Sequence, residues 1–145
     1  MNKKTINEML PKAYDTLKDI GIANDKLEID PVFRSYISSY GAAIVMGSLL
    51  AATAFFSAQR GAKEDRGLLM NAIYYLIIWD KEGTKPKKPE NDSLFKYVRA
   101  KGGGAEVKES VINAAISLKL AMNLYAEKKT KTEEKTNKEG KKDES

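Results

Sequence analysis

Hydrophobic positions along this chain recur at three- and four-residue steps and never in sustained alternation, so the pattern predicts helices throughout. The first covers about 4–20, where Ile6, Met9, Leu10, Ala13, Leu17 and Ile20 make one stripe. Pro11 falls inside it and is expected to kink the helix or mark its true start, and Gly21 is a natural stop. Asp30-Pro31 reads as an N-cap followed by proline at the first helical position, opening a helix through Val32, Phe33, Tyr36 and Ile37. Another helix runs from Asp65 to Trp79 on Leu68, Leu69, Ala72, Ile73, Leu76 and Ile77. After a polar connection over 80–92, containing Gly83, Pro86 and Pro89, a short helix spans Ser93 to Lys101. The last is expected from Ala105 to Ala126, carrying Val107, Val111, Ile112, Ile116, Leu118, Met122 and Tyr125.

One stretch departs from this rhythm. Ser35 to Gln59 holds no charged residue over 25 positions, between Arg34 and Arg60. A membrane span needs about 20 predominantly apolar residues. Here six hydroxylated side chains and two glycines, Gly41 and Gly47, interrupt the window, and its apolar centre is alanine-rich. The window therefore reads as the buried spine of a bundle, enclosed nearly all round. Gly41 either divides the spine or is absorbed into one long helix. Gly47 and Ala51 are expected where helices touch.

The remainder is dense in charge, with 25 Lys and Arg against 20 Asp and Glu, a net +5. From Glu127 to Ser145 there is no apolar residue, only seven lysines and six acids among polar positions, and such a segment is expected to stay disordered. The predicted architecture is all-α: a single compact bundle of five or six helices over 1–126 and a disordered charged tail over 127–145. No secretory leader is evident at the start, since Lys3 and Lys4 are followed by Ile6-Asn7-Glu8; a cytoplasmic location is expected. Richness in Lys and Glu without Cys matches the trend of thermophile proteins.

Composition narrows the chemistry. With no Cys and no His, thiolate nucleophiles, thiolate metal sites and the usual general base are absent. The expectation is a protein that is not an enzyme and carries no metal or cofactor. Gly102-Gly103-Gly104 lacks the Gly-Lys-Ser/Thr of a nucleotide loop and reads as a helix stop and loop. The functional signal is basic. Lys85, Lys87, Lys88, Lys96, Arg99 and Lys101 crowd one segment, with Lys96 and Arg99 on a shared helix face. Arg60, Lys63 and Arg66 cluster at the turn after the spine. Such patches neutralise phosphates without reading sequence.

The order of short motifs resembles the small helical subunit of the Cmr complexes, the type III-B CRISPR effector assemblies. The residues that carry the likeness are Arg34-Ser35-Tyr36, then Ile44, Gly47-Ser48-Leu49-Leu50, Ala54-Phe55-Phe56 and Arg60, followed by the helix ending Leu76-Ile77-Ile78-Trp79 and the final amphipathic helix. The similarity covers roughly residues 4–126. It implies a non-catalytic subunit of an RNA-guided RNA-silencing ribonucleoprotein, set beside the guide-bound backbone. Its implied partners are other Cmr subunits and the guide RNA–target RNA duplex, with self-association in a filament as an option and no membrane. Partner contacts are then expected at Arg34, Tyr36, Gly47 and Phe56. The small subunit of the related Csm complex and a stand-alone helical nucleic-acid-binding protein are the alternatives.

Overall fold

The computed structural model describes residues 2–58, 65–90 and 92–129, and over these the chain is an all-α bundle of six helices. They are α1 (Lys3–Ile20), α2 (Val32–Met46), α3 (Leu49–Ser57), α4 (Arg66–Glu82), α5 (Ser93–Ala100) and α6 (Ala105–Met122). α1 begins where the Asn2 side chain accepts a hydrogen bond from the Thr5 amide, and it runs unbroken through Pro11, whose exposed ring lies on the outer side. Its inner stripe, Ile6, Met9, Ala13, Leu17 and Ile20, is buried as the spacing requires. Gly21, at φ +94°, closes it.

The charge-free window is not one enclosed helix. Gly47, at φ −128° and ψ −119°, ends α2, and Ser48 turns extended to cap α3, its hydroxyl accepting from the Ala51 amide at 3.0 Å. Gly41 sits inside α2. Only one side of each helix faces inward: Phe33, Ile37, Tyr40 and Ile44 from α2, and Leu49, Ala52, Thr53 and Phe56 from α3. Gly47 and Ala51, expected between helices, are both exposed. The central position belongs instead to α4, which packs against all five other helices. Leu69, Met70, Ala72, Ile73 and Leu76 of α4 are fully buried. Asp65 starts this helix by accepting from the Gly67 amide at 2.7 Å, and Gly83, at φ +77°, ends it one turn beyond Trp79.

The last helix stops at Met122 rather than Ala126. A turn then buries Tyr125, whose ring stacks on Tyr14 at 4.5 Å and whose hydroxyl donates to the Tyr14 carbonyl at 2.6 Å. Beyond it lies a feature the periodicity did not show, a two-residue parallel pair of β1 (Glu28–Ile29) with β2 (Ala126–Glu127). The Lys128 amide donates to the Ile29 carbonyl at 2.8 Å, so the ordered chain extends past the expected boundary at residue 126. The rest of the expected disordered tail, 130–145, lies outside the described residues. No helix among the described residues is long and apolar enough to cross a membrane.

Candidate nucleic-acid interface

Residues 81–101 carry seven basic side chains and three acids, Glu82, Glu90 and Asp92. Three local decisions of the chain set where the basic groups go. α4 continues to Glu82, which puts Lys81 on its last turn. The Pro86- and Pro89-containing loop then crosses to α5, whose buried residues are Leu94 and Val98, so Lys96 and Arg99 turn outward. α5 ends where Gly102 and Gly103 take φ +77° and +65°, and the Gly103 amide returns to the Val98 carbonyl at 3.2 Å. That double left-handed turn accounts for the glycine run as a helix stop, and it leaves Lys101 on the rim.

Tyr97 is the centre of the group. Its half-buried ring meets Tyr74 edge-on at 5.9 Å. The Lys81 ammonium donates to its hydroxyl and lies 5.2 Å from the ring centroid, with the Lys101 ammonium 5.9 Å from it. Between Lys81, Lys101 and the first turn of α6 is a cleft of about 260 Å³, which Glu106 and Ser110 also line. Lys81 and Tyr97 were not among the expected site residues. The only hint in the sequence was Gly83, which as a helix stop would have extended α4 past Trp79.

The expected basic residues fall into different circumstances. Lys87, Lys88, Arg99 and Lys101 are exposed. Lys96 is paired with Asp92 at 3.3 Å, one turn earlier, which offsets part of its charge. Lys85 is drawn back onto the bundle. Its ammonium is 3.1 Å from Asp19 and 5.1 Å from the Trp79 ring centroid. Asp19 also accepts from the Tyr75 hydroxyl at 3.0 Å. Burial, with the Asp19 hydrogen bond and charge adding to it, pushes the Tyr75 phenol up to about 12.

Arg66 does not join this group. At the opposite end of α4, its guanidinium lies 4.7 Å from the Phe55 ring centroid and donates to the Ala58 carbonyl at 2.7 Å, fastening α3 to α4. Arg60 and Lys63 lie outside the described residues.

The four residues expected at a partner contact separate as well. Arg34 donates to the Met122 carbonyl at 2.9 Å and is ion-paired with Glu127, so it ties the end of α6 and β2 to α2. Tyr36 is half-buried, edge-on to Phe33 at 5.9 Å. Phe56 is buried against Tyr40 at 5.4 Å, and the ring that α3 turns outward is that of Phe55. Gly47 stands exposed at the corner between α2 and α3.

The described residues hold no cluster of three or more acidic side chains placed to bind a metal ion. What the rim offers chemically is diffuse cationic attraction beside an aromatic ring, a combination suited to a phosphate backbone. No protein-family model matches the chain, and no curated protein or solved structure matches it at a significant level.

Proposed function

We propose that this protein is a non-catalytic subunit of a larger ribonucleoprotein that meets RNA through the rim formed by the end of α4, α5 and the α5–α6 turn. The observation that carries this reading is the contact of Lys81 and Lys101 with the Tyr97 ring, in a segment over 81–101 where Lys87, Lys88 and Arg99 are also exposed and seven basic residues outnumber three acids. The sequence resemblance supports the more specific form, the small subunit of a Cmr-type RNA-guided complex contacting the guide–target duplex. A handful of phosphate contacts on one small domain gives only non-specific affinity, roughly 10⁻⁴–10⁻⁶ M at physiological salt. Useful binding then comes from many such rims held in one assembly, through effective concentration.

The test is binding of the full chain to an RNA duplex, followed by fluorescence anisotropy over a range of salt. Changing Lys87, Arg99 and Lys101 together to Glu should weaken binding at least tenfold and flatten the salt dependence. The log–log slope should lose about 0.7–0.9 for each phosphate contact removed. Lys119→Glu is the control, since that residue lies about 20 Å along α6 from the rim at 1.5 Å per residue; it should leave the slope unchanged. A loss from Lys119→Glu of about a third of the triple variant's in log affinity, in proportion to the charge removed, would mean that net charge alone drives binding, and the rim would not be the site.

A further inference from the structure

A second surface is apolar. α2 and α6 run antiparallel, fixed at one end by the Arg34 hydrogen bond to the Met122 carbonyl. Toward the other end they leave a groove of about 250 Å³ between them. Its floor is Ile44 and Ala115, and its walls are Gly41, Ala42 and Val45 on one side and Ile116 on the other. The groove exists because α2 presents small residues there. A side chain begun at Gly41 would meet nothing within 4 Å. The wall is open to solvent as well, with Val45 75% exposed. An open channel between two helices, floored by aliphatic groups and flanked by exposed ones, has the form of a place where a third helix would pack. The single charged residue lining it is Lys119.

We infer that this groove receives an amphipathic helix of a partner protein, with apolar anchors at i, i+3 or i+4 and i+7 and a carboxylate placed to meet Lys119. The inference rests on the reading of the protein as an assembly subunit and supplies the chemistry of one neighbour. Charge complementarity selects the occupant. Among the described residues, four of the seven large apolar side chains that a second copy would expose, Val45, Met46, Leu50 and Phe55, lie on α2 and α3. These belong to the uncharged stretch of 35–59, which has no carboxylate for Lys119. A nucleic acid or an anionic lipid surface would find one cation and a wall of aliphatic carbon.

The probes are synthetic amphipathic helices with leucine at the anchor positions and one glutamate near either end, each matched by a version with lysine in place of glutamate. Binding to the full chain is read by fluorescence anisotropy. A glutamate peptide should bind saturably and about threefold more tightly than its lysine counterpart, the size expected of one rim ion pair. Lys119→Glu should reverse that order. Gly41→Leu, which fills the groove where space is open, should weaken binding tenfold or more while the protein still melts at or above the parent temperature. Ala42→Phe is the second filling variant should Gly41→Leu fold poorly. Indifference of the peptides to charge and to both filling variants would overturn the assignment. So would self-association in sedimentation that Gly41→Leu abolishes, because the groove would then belong to a second copy. The RNA experiment is separate, since the variant expected to weaken it lies on the rim, at Lys87, Arg99 and Lys101, and its failure leaves the peptide result standing.

Discussion

Two described stretches of this chain stand far apart in charge: 35–58, which has none, and 80–101, half of whose residues carry it. Intuition buries the first and exposes the second, yet both contribute surface. α2 and α3 each bury one side and turn the other outward, with Met46 87% and Phe55 62% exposed. The enclosed helix is α4, which ends in Asp80, Lys81 and Glu82 and is touched by every other helix of the bundle. Absence of charge therefore marks what a surface avoids, and depth is decided by how many neighbours a helix acquires. The described residues thus carry an apolar outer face as well as a cationic rim.

The largest expected effect sets these regions against each other. Leu76→Ala, at a fully buried site in α4, should cost about 2–5 kcal/mol in denaturant unfolding. Met46→Ala should stay within about 0.5 kcal/mol. A Met46 variant as damaging as the Leu76 variant would mean that the window is buried after all.

Alkaline pH sharpens the picture from the inner side of the window. Burial holds the Tyr40 phenol neutral and pushes its pKa up to about 12, although its hydrogen bond with Thr53 at 2.8 Å works against that. The Thr53 hydroxyl donates to the Leu49 carbonyl, so it accepts from Tyr40 and joins α2 to α3 across the break. A pKa raised on folding contributes stability that is complete below the unfolded value near 10 and lost as pH climbs through the folded value. Stability should therefore fall between about pH 10 and 12. Tyr75 shares this direction. Tyr40→Phe should cost about 1 kcal/mol at neutral pH and make the alkaline fall shallower; an unchanged pH profile would show that the ring is not enclosed.

Smaller effects probe the corners. Ser48→Ala removes the cap that starts α3 and should cost about 1 kcal/mol, with Ser48→Gly milder. Lys96→Ala breaks an exposed pair one helical turn long and should change stability by about 0.3–0.5 kcal/mol. A larger loss there would mean that the rim is part of the fold's framework rather than a free surface.

Much of the fold was legible in local signals. The stripe of α1 with Gly21 after it, Asp65 before α4, and α5 ahead of the glycine run all stand close to where the residues place them. The break at Gly47-Ser48 was not visible, because Gly41 was the break weighed and Gly47 was expected where helices touch. Ser48 is followed three residues later by Ala51, not by the Glu or Gln that would complete a capping box. Gly41 is helical and opens a groove instead. The last turn of α4 was missed because apolar periodicity ends at Trp79 while the backbone continues on polar residues that face water, so Lys81 fell outside the expected rim. The β1–β2 pair has too few residues to show any period. Arg34, placed in the expected partner contact, is occupied in holding that pair and the end of α6 to α2, a role that depends on residues far along the chain.

The division of the surface into an apolar face and a cationic rim is tested most directly by backbone amide chemical shifts of the labelled full chain titrated with a short RNA duplex. Perturbations should gather on the last turn of α4, the 83–92 loop, α5 and the α5–α6 turn, including Tyr97, while the exposed faces of α2 and α3 stay silent. Shifts on α2 and α3, or shifts scattered over every lysine of the bundle including Lys26 and Lys119, would contradict the account.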